Sequence, residues 1–205
     1  MPKPTFLNLS KEKQELLINA AKKEFSRVPL HEASISNIIK DAGIPRGSFY
    51  QYFEDKEDIF FFLFDEDSRR VNELFISIIK INNGDLFASF VDLFKSILIS
   101  FDEPGNRQYI KNIFLNMNYK IEKTFTKNFF EENVKSHFSE LNGLLNSENL
   151  NITSEEEMFH ILKIMIVVMI QNLVHVFATE LPIHEAMATF SLEIDLLKKG
   201  FYKGT

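Results

Sequence analysis

The sequence predicts an all-α protein: a three-helix N-terminal head containing a helix-turn-helix, followed by a larger C-terminal helical body. Three observations predict it. Apolar residues recur every three or four positions along most of the 205-residue chain, the period of helices buried along one side. Sustained period-two alternation is missing and hairpin dipeptides are few, which argues against strands. The rhythm breaks sharply at "IIKDAGIPRGSFYQYFEDKEDIF" (38–60), where two glycines, a proline and an arginine stand beside Phe49, Tyr50, Tyr52 and Phe53.

The first helix is predicted from about Ser10, an N-capping residue type, to Arg27, with Leu17, Ala20, Ala21 and Phe25 as its inner stripe. Pro29 marks "VPLHEA" as a loop. The second helix starts after Ser34, buries Ile35, Ile38 and Ile39, and stops at Gly43. Pro45 suits the first turn of a third helix, where no amide donor is needed, and that helix ends near Phe53. Asp55 caps a long fourth helix, with Asp58 placed as in a capping box. "NNGD" (82–85) ends it, and helices at about 85–101, 107–117, 119–146, 154–180 and 183–200 follow. The expected division is residues 1–56 for the head and 57–205 for the body.

Composition narrows the class. Hydrophobic content of 45% and charged content of 25% fit an ordinary globular chain. With no cysteine, disulfides, iron–sulfur clusters and thiol catalysis are excluded. "MPKPTFLNLSKEKQ" holds no apolar run of the kind a secretion signal has, so a cytoplasmic location is expected. The most apolar stretch (161–178) has "IMIVVMI" as its longest unbroken run, short of the ~18–20 residues a membrane span needs. A buried helix and no membrane partner are therefore predicted. Net charge is −6, but residues 1–56 carry nine Lys/Arg against seven Asp/Glu, giving +2, and the remainder carries −8. A mildly basic head on an acidic body points toward nucleic acid at the head.

The stretch that breaks the rhythm supplies the chemistry. Two short helices about a tight turn form a helix-turn-helix, which inserts the start of its second helix into the major groove. Arg46 can bond guanine bidentately, and Ser48 and Gln51 can reach base edges or phosphates. Tyr50 and Tyr52 offer hydroxyls to phosphate oxygens. Gly47 permits close backbone approach, while Phe49 and Phe53 face inward as anchors. Lys56 stands at the start of the fourth helix, where amides, dipole and ammonium together favour phosphate. Ser34, Ser36 and Pro45 complete the predicted DNA-facing set; Lys3, Lys11 and Lys13 are further phosphate candidates.

At these residues the chain resembles the TetR family of bacterial transcriptional regulators. "SISNIIKDAGIPRGSFYQYFEDKEDIF" follows that family's pattern of a small-residue start, "AGV", "KG(T/S)LYxYF" and "KEEL", and the resemblance takes in "LLINAAKKEFS", so it spans about residues 10–60. Pro45, Phe49 and Gln51 depart from the residues common there, which bears on the sequence read rather than on DNA binding itself. The resemblance implies a homodimer on a palindromic double-stranded operator, an effector-binding body, and a dimer interface built from the last two helices, about 154–200. The apolar stripe Met187, Phe190, Ile194 and Leu197 on the last helix independently suits dimerisation.

Candidate effector contacts are Phe60 and Phe64 in "FFFLF", with Asn116, Tyr119, Asn172 and His175 as polar groups among apolar neighbours. The 22 phenylalanines suit an apolar or aromatic small molecule, and equally suit a plain core. No cofactor is called for. "EMFH" is a Glu-x-x-His of the di-iron kind, but no second copy exists, and "EEE" (155–157) reads as helix-start charge rather than a metal site. No HExxH or phosphate loop appears, so a non-enzymatic protein is expected. The expected function is a ligand-responsive repressor; an activator with the same head, or a helical interaction module without DNA affinity, are the alternatives.

Overall fold

The computed structural model of the chain describes residues 1–100, 106–116, 141, 143–148 and 150–202. The described elements are helical: α1 (Pro4–Leu7), α2 (Lys11–Arg27), α3 (Ile35–Ala42), α4 (Arg46–Tyr52), α5 (Lys56–Ile81), α6 (Leu86–Ser100), α7 (Asn106–Leu115), α8 (Glu155–Thr179) and α9 (Ile183–Phe201). A 3-10 turn, Leu30–Glu32, sits between α2 and α3, and one antiparallel bridge joins Leu150 to Tyr202. The predicted helix boundaries agree with these to within a residue or two. The short α1 was not predicted, and most of the predicted 119–146 segment lies outside the described residues. The chain forms two units: Met1–Arg69 with Phe101–Phe125, and Arg70–Ser100 with Thr126–Thr205.

In the first unit, α2 buries Leu17, Ala20, Ala21 and Phe25 and packs against α3 and α7. Neither Ser10 nor Ser34 caps its helix through the side chain. Gly43 ends α3 in the left-handed region (φ 66°), and the Gly43 and Ile44 amides close onto the Lys40 and Ile39 carbonyls. A side chain there would be strained, so glycine sets the angle at which α4 leaves. Phe49 and Phe53 are fully buried, as predicted, and Phe53 packs on Phe6 of α1 and Phe62 of α5 at 4.9 and 5.9 Å between ring centroids. Phe60 meets Phe25 edge-on at 5.2 Å, and each ring so buried stabilises the unit by about 1.5–3 kcal/mol relative to exposure. Asp55 caps α5: its Oδ1 accepts from the Asp58 amide at 2.7 Å, while Asp58 accepts from the Glu54 amide at 3.1 Å.

In the second unit, α6 packs along α9, with Phe94 stacked on Phe190 at 4.1 Å, and α8 packs against both. Helix α8 is long and apolar enough to cross a membrane, yet half of its most apolar window is buried within this unit. Its buried side carries Met158, Leu162, Met165, Met169, Leu173 and Val176. Ser154 caps it, accepting from the Glu157 amide at 3.2 Å, and the Glu157 carboxylate accepts from the Thr153 amide and hydroxyl. Those hydrogen bonds hold the Glu157 carboxyl below its usual range. The acidic run is thus a helix-start device.

Candidate nucleic-acid interface

The helix-turn-helix is held by a carboxylate that sequence reading passed over. Glu24 lies within the buried stripe of α2 and is only 4% exposed. Its Oε1 accepts from the Ser34 amide (2.8 Å), Asn37 Nδ2 (3.1 Å) and Arg27 Nη2 (2.7 Å), and its Oε2 accepts from Arg27 Nε at 2.9 Å. The Arg27 guanidinium, with help from Ser34 and Asn37, overcomes the cost of burial and pulls the Glu24 carboxyl down to about 2. The effect is to staple the start of α3 to α2. An acidic residue on an apolar stripe with arginine three positions on was the available signal.

Lys56 does similar work from α5. Its Nζ donates to the His31 carbonyl at 2.7 Å and the Ala33 carbonyl at 3.1 Å. Two of its three N–H bonds therefore tie the start of α5 to the loop before α3, an internal role the sequence did not reveal. Asn112 of α7 adds a third tie, donating from Nδ2 to the Phe25 and Ser26 carbonyls at 2.8 and 3.1 Å, at the end of α2. Lys22 and Asp67 pair at 3.0 Å beside the buried Tyr109, whose phenol is pushed up by burial and then by the Asp67 charge.

On this frame α4 turns its polar side outward. Pro45, Arg46, Gly47, Tyr50 and Gln51 are exposed, Ser48 and Tyr52 half-buried. Ser36 of α3 is exposed; Ser34 is half-buried and has given its amide to Glu24. Arg46 gathers the surface: Nη1 donates to Ser36 Oγ and Nη2 to Tyr50 Oη, each at 3.3 Å, and its guanidinium lies 5.8 Å from the Tyr50 ring centre. Both bonds are long, so a guanine edge or phosphate oxygen can displace them at little cost. Gly47 has no positive φ, and a Cβ there would meet nothing within 4 Å. The fold itself does not demand a glycine at that place.

The effector candidates do not gather in this way. Phe60 and Phe64 are buried in the first unit, and Asn116 is half-buried there, donating to the Asn112 carbonyl one turn back. Tyr119 lies outside the described residues. Asn172 is buried in the second unit, but its amide is engaged by the Val168 carbonyl and the Glu193 carboxylate. His175 is exposed, which corrects its placement among apolar neighbours. A groove of about 250 Å³ in the second unit is lined by Asn82, Asp85, Phe87, Asn146 and Tyr202, none of them predicted.

A helix-turn-helix with an exposed cluster of Arg46 and Tyr50 on its second helix and Ser36 on its first defines a DNA-binding regulator. Residues 17–62 match the family described as bacterial regulatory proteins, tetR family, and residues 85–201 match the tetracyclin repressor-like C-terminal domain. The chain belongs to the TetR family of transcriptional regulators. Over 73 residues it is 41% identical to YdgC of Bacillus subtilis, an uncharacterised helix-turn-helix transcriptional regulator, covering 36% of this chain and 37% of that one. The matched stretch thus spans about a third of that relative. SmeT, the repressor of the Stenotrophomonas maltophilia multidrug efflux pump SmeDEF, shares the fold at a TM-score of 0.67 and 12% identity, over 97% of this chain and 93% of that one. FadR of Bacillus subtilis, solved with stearoyl-CoA, shares it at 0.62 and 14%, over 92% and 99%.

Proposed function

We propose that this regulator is a repressor that binds a palindromic double-stranded operator as a homodimer and is released by a small apolar or aromatic effector. The observation that carries the DNA-facing assignment is the Ser36–Arg46–Tyr50 cluster, exposed beside a glycine that the fold does not need. In this reading residues 1–56 read DNA, with Arg46 on a base edge and Ser36, Ser48, Tyr50, Gln51 and Tyr52 on phosphates or edges. Residues 57–205 hold the effector and the partner copy. Lys56 contributes its remaining N–H to phosphate while bracing the loop. Release is geometric: recognition helices about one DNA turn apart, ~34–36 Å, lose both half-sites when their spacing changes.

Dimerisation is supported by a stripe that the single chain leaves uncovered, and it is not the expected Met187, Phe190, Ile194 and Leu197, because Phe190 and Ile194 are buried within the unit with Phe190 stacked on Phe94. Ile164 and Val167 on α8, and Leu192 and Leu196 on α9, are 42–61% exposed within one unit. The apolar effector class is supported by the aromatic interior around Phe60 and Phe64, and FadR's stearoyl-CoA justifies placing acyl-CoAs in the ligand set. The protein acts by binding, without catalysis, in the cytoplasm.

The test is selection of bound sites from random duplex DNA, then a ligand screen scored by release from the recovered site. A palindrome is expected. Arg46→Ala should lower affinity for that site by roughly 1–3 kcal/mol and flatten its preference over scrambled DNA. Failure to enrich any duplex, or equal loss on matched and scrambled DNA, would overturn the assignment.

A further inference from the structure

The four-residue α1 and the Lys3 before it make contacts out of proportion to their length, most of them at the far end of α4. A helix leaves its last four carbonyls without intrahelical partners. In α4 those belong to Phe49, Tyr50, Gln51 and Tyr52. The Phe53 amide takes the first at 2.9 Å. Residues 3–5 take the other three: Lys3 Nζ donates to the Tyr50 carbonyl at 2.9 Å, the Thr5 hydroxyl to the Gln51 carbonyl, and the Lys3 amide to the Tyr52 carbonyl at 2.8 Å. Phe6, 1% exposed, fixes the segment by packing on Tyr52, Phe53 and Phe62 at 6.3, 4.9 and 5.5 Å. Gln14 of α2 bonds the carbonyls of Phe6, Leu7 and Leu9, pinning the return of the chain.

We infer that Lys3, Thr5 and Phe6 form a C-terminal cap supplied from a distant stretch of the chain, a positioning element that keeps the recognition helix ordered for DNA. Seven residues make about two turns, well below the length at which a helix holds by itself. Only Phe49 within α4 is buried, so its order depends on what holds its ends. A helix that frays in the unbound protein must be ordered on binding, and apparent affinity falls by the ordered fraction. Lys3 accordingly acts inside the protein and not as an arm reaching for phosphate.

The inference rests on the assignment of α4 to the DNA groove, and two measurements separate the two. The variants are Thr5→Val, which removes the hydroxyl at equal size, Thr5→Ser, which keeps it, and Lys3→Met, which keeps the stem. Affinity for the selected duplex should fall about 3- to 10-fold for Thr5→Val and Lys3→Met, with Thr5→Ser at wild-type level and the salt slope unchanged. Without DNA, amide exchange at Tyr50–Phe53 should accelerate in the first two and not in Thr5→Ser, while the melting temperature barely moves. A wild-type Thr5→Val together with a Lys3→Met salt slope lower by about one would make Lys3 a phosphate contact and overturn the cap. Unchanged exchange would overturn it as well. If exchange accelerates but Arg46→Ala binds as wild type, the cap stands and the groove assignment falls.

Discussion

Glu24→Gln tests whether the head is held by a buried charge. The carboxyl falls from 4.5 to about 2, which corresponds to roughly 3 kcal/mol. That is a ceiling. The Arg27 side chain is 55% exposed, so water screens the pair, and about 2 kcal/mol is the expected loss near neutral pH. Glutamine keeps one acceptor for the Ser34 amide but turns an NH2 toward donors on Arg27 or Asn37.

The sign of the pH dependence follows from the direction of the shift. Because the folded value is depressed, the stabilisation is complete above about 4.5 and drains away as pH falls through 4.5 toward 2. Glutamine does not titrate. The gap between wild type and variant should therefore shrink from about 2 kcal/mol at pH 7 to about 1 kcal/mol or less near pH 3. Urea unfolding followed by far-ultraviolet circular dichroism at both pH values reads this directly. A gap equal at the two pH values, or under about 0.5 kcal/mol at neutrality, would show that the network contributes little. Affinity for the selected duplex should fall with stability, since the start of α3 loses its staple.

Two further outcomes follow from the same contacts. Asn112→Asp should destabilise more than Asn112→Ala, although it is closer in shape, because a carboxylate would face the Phe25 and Ser26 carbonyls; the alanine cost is about 1–2 kcal/mol, read from the same urea curves, and the reverse order would refute the tie. Val167→Asp or Leu192→Asp should raise the dimer dissociation constant at least ~100-fold by light scattering, since each would bury two unpaired charges at a symmetric contact. A wild type that is monomeric at micromolar concentration would remove the dimer reading.

What could be read from the sequence depended on whether the controlling interaction was local. Gly43, Pro45 and the 3.6-residue stripes act within a few residues, so the turn and most helix limits were visible. Phe49 and Phe53 were legible as anchors because their spacing puts them on one side of a short helix. Helix α1 was invisible for the opposite reason: four residues carry no period, and their partners stand some 46 residues away. Lys56 showed its charge and its place at a helix start, but not that the His31 and Ala33 carbonyls lay within reach. Periodicity also failed at α8, which is apolar nearly all round. It does not say which side is covered, and His175, expected among apolar neighbours, shares the uncovered side with Val167.

The two kinds of hydrogen bond in the head point to how it binds. Bonds that fix the frame run from 2.7 Å, for Arg27 to Glu24 and Lys56 to the His31 carbonyl, up to 3.1 Å, for Lys56 to the Ala33 carbonyl and Asn112 to the Ser26 carbonyl, and most involve a charged group. The bonds on the outward side of α4 are both 3.3 Å, from one guanidinium to two hydroxyls. Hydrogen bonds near the upper limit of length are weak, so the Arg46 fork is held in place without being committed. In the proposed reading, a base edge or phosphate exchanges with Ser36 and Tyr50 on a frame already in place. Were the order reversed, with a strong bond on Arg46 and a loose α3, binding would have to break the first and order the second. The longer bonds on Arg46 over a frame held by buried and charged partners keep both costs low, which is the physical case for α4 as the reading element.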